Sequence, residues 1–289
     1  MDNNIKNSKD KLLIWIDLEF VFYGISKFIQ KHYECDIYAV LDINNKAKKF
    51  FDKQKTVKFQ KVWNYLDNVT IDYEKFDLEY MKKFEKKYDI DLWNLAYAER
   101  TFYKYNQYYN FSSEQILGLL YQECIFFEKV LDEVKPDFML IKTTDWHQTH
   151  LFYELCKARG ITVLMLVPTR FGNRLVISEN INKLDDFEKH NSSNAKKTSS
   201  DLKKFLQKHD GFEAAKGYIS IQNQKKDNKM LDALKFILLA QDNDYQKRYS
   251  SYKWNKLKIL YNEGGNILRK KIRENFINNN FIKNVDYSK

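Results

Sequence analysis

Short apolar runs that end in a polar residue recur along the first two thirds of the chain, separated by segments with helical spacing. Leu12 to Ile16 is apolar and ends at Asp17, and reads as a buried first strand. Phe20 to Tyr33 follows and reads as a helix, with apolar positions recurring at Phe20, Phe22-Tyr23, Ile25-Ser26 and Phe28-Ile29. Cys35 to Leu41 is a second strand, ended by Asp42, and Lys46 to Lys53 a short helix. Val57 to Tyr65 is the third predicted strand. This β-α-β-α-β order is what a doubly wound sheet produces.

The middle of the chain is less regular. A helix is predicted around Phe76 to Lys87, and Trp93, Tyr97, Phe102, Tyr103, Tyr105, Tyr108 and Tyr109 then crowd a short span. Most such aromatics serve a core, but tyrosines beside Glu99 and Arg100 also suit a sugar, with an apolar ring face and a hydroxyl. Ser112 or Ser113 is placed to cap a helix over 113–134, with Glu114 in its first turn. Ile116, Leu117, Leu120, Cys124, Phe127 and Leu131 form its apolar stripe. Pro136 stops that helix and launches a strand from Phe138 to Ile141. A helix to about Arg159 follows, with Gly160 suited to its C-terminal end, then a strand over 161–167. Leu175 to Ser178 is a further short strand candidate.

Beyond this point the pattern changes. Residues 186–200 hold few apolar positions and read as a linker. Only helices are predicted after it, over 201–208, 211–221, 229–240 and 243–275, with a break near Gly264-Gly265. The expected organisation is a Rossmann-like, doubly wound α/β domain over 1–185, the linker, and a helical basic extension over 201–289. The net charge of +10 is unevenly placed: residues 201–289 carry 19 Lys and Arg against 10 Asp and Glu. Such asymmetry marks either a solvated helical face or a surface for an anionic partner. Three widely spaced cysteines show no metal-ligand spacing and fit free thiols in a reducing compartment. With no leader-like segment and no long apolar run, a cytoplasmic protein is expected.

Candidate chemistry gathers where strands end, the edge at which open parallel sheets bind ligands. After the strand at 138–141 come Thr143, Thr144, Asp145, His147 and His150. A histidine oriented by a carboxylate can act as a general base. The same residues fit the N-terminal cap of a helix, and their spacing is no metal signature. After the strand at 161–167 come Thr169, Arg170, Asn173 and Arg174, and arginines there can grip a phosphate or carboxylate. Asp17 and Glu19 end the first strand, but Glu19 breaks the Asp-x-Asp of haloacid-dehalogenase phosphatases. No GxGxxG, GxxxxGK[ST] or GxSxG occurs, so dinucleotide, P-loop and hydrolase-elbow chemistry find no motif. Arg269, Lys270, Lys271 and Arg273 form a basic patch without a nucleic-acid motif, and no nucleic-acid partner is expected.

The run Lys135-Pro136-Asp137, strand, polar loop with His147, helix, Gly160-Ile161, strand, loop with Arg170 and Arg174 carries a resemblance. Over about residues 10–182 the chain resembles the N-terminal half of surface-polysaccharide glycosyltransferases of GT-B architecture. The resemblance implies transfer of a sugar from a nucleotide sugar to a saccharide or lipid-linked acceptor, the acceptor docking on this half. It implies His147 as base with Asp145 orienting it. Thr144, His150, Thr169, Arg170, Arg174, Asp17 and Arg100 are the expected substrate contacts. No cofactor or metal is expected. No second βαβ series follows, so a second domain or subunit is expected to supply the donor site. The basic extension could rest against an anionic membrane at its inner face. The alternative is a non-catalytic module that docks a partner through the same basic helices. The resemblance predicts that His147→Ala abolishes transfer, measured in a reconstituted assay, while the protein stays folded.

Overall fold

The computed structural model describes residues 9–73, 75–105, 109–168, 175–180, 198–200, 203–204, 248–249, 252–253 and 256–280. A six-stranded sheet holds β1 (Asp10–Ile16), β2 (Cys35–Leu41), β3 (Lys61–Asn64), β4 (Phe138–Lys142), β5 (Thr162–Pro168) and β6 (Leu175–Ser178). The strand order is β3-β2-β1-β4-β5-β6. The first five strands run parallel, and β6 returns antiparallel on β5. This is the Rossmann-like α/β architecture that the strand-helix alternation predicts.

β1 is apolar at every position from Leu12 to Ile16 because both of its faces are buried. Leu13 and Trp15 point into one core, and Leu12, Ile14 and Ile16 into the other. The second core is covered by α1 (Val21–His32) and α2 (Asn45–Lys53), through Phe22 and Phe51. The first and larger core lies under α6 (Ser113–Val134) and α7 (His147–Ala158). There Phe127 and Phe152 stack with ring centroids 4.3 Å apart, and Trp15 meets both rings edge-on.

The helix ends follow from side-chain chemistry. Ser112 caps α6 in a reciprocal box with Gln115, which settles the choice between Ser112 and Ser113. Lys135 takes a left-handed conformation before Pro136, so the helix cannot continue. Asp137 then accepts the Lys11 amide at 2.9 Å, while Lys11 Nζ donates to the Val134 carbonyl. The Lys-Pro-Asp rhythm thus fastens β4 beside β1. Gly160, at φ 70°, completes a Schellman end to α7, with Ile161 N–H donating to Cys156 O and Gly160 N–H to Lys157 O.

Three expectations change. The third strand is only Lys61–Asn64, because Tyr65–Asn68 turns into the short helix α3 and buries Tyr65 and Leu66. The less regular aromatic stretch after α4 (Leu78–Tyr88) contains a further helix, α5 (Leu92–Ala98), and a π-helical turn at Thr101–Tyr105. Asp91 caps α5 through the Asn94 amide. The last helix, α8, spans Lys256–Asn280 and passes through Gly264-Gly265 without a break. The linker at 186–200, apart from 198–200, and nearly all of the helices expected over 201–240 lie outside the described residues. Phe127→Ala should lower the unfolding free energy by about 3–5 kcal/mol in urea titration, because it opens a cavity at the Trp15–Phe152 contact.

Candidate functional site

The chain leaves β1 towards β2 on one side and returns through β4 towards β5 on the other, so the order reverses between β1 and β4. Loops diverge at such a point and leave a crevice beyond the carboxyl ends of the strands. A cavity of about 220 Å³ lies there. Asp17 and Glu19 reach it from the end of β1, Asp42 from β2, and Lys142, Thr143, Asp145 and Trp146 from β4 and its loop. Trp15, Tyr65 and Tyr249 give it aromatic walls, with Gln148 and Thr149 at the start of α7.

Ion pairs organise the rim. Lys142 Nζ lies 2.6 Å from Glu19 Oε2 and 3.9 Å from Asp17 Oδ2. Arg248, far along the chain, pairs with Asp42 Oδ1 at 2.7 Å and also donates to the Asp42 carbonyl. Burial pushes the Asp42 carboxyl up from its ordinary range, and Arg248 opposes that push only in part. Arg248 Nε is buried with no hydrogen-bond partner. Among the described residues the lining holds four acids, Asp17, Glu19, Asp42 and Asp145, against two cations, Lys142 and Arg248.

Beneath this crevice sits a buried charge cluster. His147 Nδ1 is 3.1 Å from Glu99 Oε2, and His147 Nε2 is 2.9 Å from Glu123 Oε1. All three side chains are almost fully buried. Burial disfavours a charged imidazole, but Glu123 and Glu99 on either side outweigh it and raise the His147 pKa to about 9. Burial likewise opposes the Glu99 charge, yet His147 and the amides of Thr101 and His147 bring its pKa down to about 2. Tyr65 donates to Glu123 Oε1. The Tyr249 hydroxyl lies 3.2 Å from Glu99 Oε2 and 3.1 Å from Gln148 Oε1, so its single proton is shared.

His147 therefore has a different place from the one its spacing to Asp145 implies. With both ring nitrogens donating to carboxylates, a protonated His147 has no lone pair with which to accept a proton, and it is absent from the crevice lining. Asp145 does not orient it: that carboxylate is exposed and accepts from Thr143 Oγ1 at 2.9 Å. Nor do Thr143, Thr144 or Asp145 cap α7. Trp146 is the cap residue, without a side-chain bond, and Glu99 takes the His147 amide from 48 residues away. Thr144 is half-buried in the loop. His150 pairs with Glu154 at 3.4 Å along α7 and does not line the crevice. Arg100 is exposed at a neighbouring opening that it shares with Asp145 and Trp146. Asp17 does line the crevice. Thr169, Arg170 and Arg174 lie outside the described residues.

Several site residues escape a reading by motif. Asp42 ends β2 at the same edge as Asp17, and that position at a strand end was its signal. Glu123 falls among Leu119, Leu120, Phe126 and Phe127 on the buried face of α6, and an acid on an apolar stripe needs a buried partner. Arg248 and Tyr249 carry no local signal. No group of three or more His, Cys, Asp or Glu side chains among the described residues is arranged to hold a metal ion. In comparisons with protein-family models, curated proteins and solved structures, nothing matched this chain.

In place of the folded but inactive variant that the resemblance predicts, His147→Ala should destabilise the protein by about 3–5 kcal/mol in denaturant titration, because it strands Glu99 and Glu123 as uncompensated buried charges. The raised His147 pKa also sets a pH dependence. Its contribution is complete below the ordinary value of 6.5 and is lost as pH rises through about 9. Glu99 acts in the opposite sense: its contribution is complete above 4.5 and lost as pH falls through about 2. Urea midpoints across pH should show a decline on the alkaline limb that His147→Gln flattens.

Proposed function

We propose that the crevice between β1 and β4 binds a polyhydroxylated acceptor, and that the chain is the acceptor-binding half of a glycosyltransferase. The observation that carries this reading is the lining itself: carboxylates, the Gln148 amide and the Thr143 and Thr149 hydroxyls set among Trp15, Tyr65, Trp146 and Tyr249 at the switch point of a Rossmann-like sheet. Carboxylates accept hydrogen bonds from sugar hydroxyls, and aromatic faces cover the apolar C–H faces of the ring. The excess of acids over cations supports an acceptor hydroxyl here and disfavours the diphosphate of a nucleotide sugar. The donor then belongs to a second domain or subunit.

In this scheme Asp42 replaces His147 as the base. It lines the cavity, it is buried, and its raised pKa brings it closer to the value that suits proton abstraction near neutrality. The acceptor hydroxyl gives its proton to Asp42. Its oxygen attacks the anomeric carbon of the donor as the bond to the nucleotide diphosphate breaks. Arg248 holds Asp42 in place, and Asp17 accepts from a neighbouring hydroxyl.

Calorimetry with panels of saccharides, free nucleotides and nucleotide sugars tests this reading on the isolated chain. A saccharide should bind, and free nucleotides should not. Asp17→Asn should weaken saccharide binding by about tenfold, the loss of one charge-assisted hydrogen bond. Tight binding of a nucleotide sugar, or no saccharide binding in any form, would sink the acceptor-half reading. With a donor half present, Asp42→Asn should lower kcat by about a hundredfold or more while leaving KM nearly unchanged.

A further inference from the structure

Away from the crevice, α8 carries a face that nothing in the described fold covers. No helix among the described residues is long and apolar enough to cross a membrane, and α8 is mixed in character. Tyr261, Leu268, Ile272 and Phe276 are 83%, 64%, 62% and 62% exposed. At about 100° per residue these four positions fall within an arc of about 80°. Four large apolar side chains on one narrow helical face need a cover, since contiguous exposed apolar surface marks an interaction site.

The charges beside that face name the cover. Arg269 and Arg273 flank it on one side and Lys271 on the other, all exposed. Across Lys256–Asn280 the sequence holds six Lys and Arg against two Glu. Lysine and arginine beside an apolar stripe can lay their stems along it and hold their charges at the level of lipid phosphates. Nucleic acid would use the charges and leave the aliphatic face bare. A protein partner would be expected to match the charges with acids of its own, and the crevice acids sit on a different part of the chain.

We infer that α8 is an in-plane membrane anchor, seated with Tyr261, Leu268, Ile272 and Phe276 in the acyl boundary of an anionic bilayer and its basic flanks on lipid phosphates. The anchor follows from α8 alone and holds whether or not the crevice takes a saccharide acceptor. The basic charge of this part of the chain then has a physical role, holding the protein at a lipid surface.

Sedimentation of the full chain with vesicles provides the test. The protein should partition onto phosphatidylcholine vesicles containing phosphatidylserine, far less onto phosphatidylcholine alone, and less as salt is raised. Leu268→Ser and Ile272→Ser should each lower partitioning by roughly tenfold, because each removes buried apolar groups. Arg269→Gln and Arg273→Gln should lower it by about fivefold each, one lipid-facing charge apiece. All four positions are exposed, so an unchanged urea midpoint will separate lost binding from lost fold. Failure of the unmodified chain to bind anionic vesicles overturns the inference. So does partitioning that both serine variants leave intact, since charge alone would then explain it. A concentration-dependent dimer that Ile272→Ser dissolves in the absence of lipid would give the face to a second copy of the chain and also overturn it.

Discussion

The buried pairing of His147 with Glu99 and Glu123 is the contact on which the crevice depends. An imidazolium taken out of water is unstable unless carboxylates surround it, and a carboxylate in the same place is unstable without the cation. Each member comes from a different element: Glu99 from the end of α5, Glu123 from the middle of α6, His147 from the first position of α7. Satisfying the charges therefore fixes three helix segments relative to one another. The start of α7, whose amide is held by Glu99, is thereby set against the carboxyl edge of the sheet.

That constraint reaches the crevice through the residues that flank the cluster. Trp146, Gln148 and Thr149 line the cavity, and they stand on either side of His147. Tyr65 and Tyr249 each touch the buried charges with their hydroxyls and also line the cavity. The same cluster anchors a distant part of the chain, because Tyr249 packs on His147 with ring centroids 4.7 Å apart, and Arg248 beside it grips Asp42.

Chemistry at the edge of the sheet follows from the division of labour between buried and half-open charges. The cluster below is fully enclosed and has its hydrogen bonds committed, except for Glu123 Oε2, which is buried without a partner. The crevice above keeps acids that a ligand can reach, with Asp42 held by one arginine rather than enclosed by several donors. In the proposed reaction, proton transfer falls to the second group, since a base needs an accessible lone pair as well as a tuned pKa.

Hydrophobic periodicity alone determined the architecture. Runs such as Leu12–Ile16 and Phe138–Ile141 are apolar on both faces, which only a sheet covered twice can satisfy, and the helices between them force parallel strands. The Ser112 cap, the stop at Pro136 and the left-handed Gly160 were legible because each depends on a few neighbouring residues. The place of Asp17 at the sheet edge, where it lines the crevice, was legible because it ends a strand. The partner of His147 was not. Asp145 is two residues away along the chain, but Glu99 and Glu123 are the ones beside it, brought there by packing of α5 and α6 against α7. Arg248 and Tyr249 were equally hidden, because nothing local distinguishes an arginine that will meet Asp42 across 206 residues from one that faces water. Local spacing sets secondary structure through short-range sterics and burial, whereas electrostatic partners are chosen by which elements pack together. That choice exists only in the folded chain.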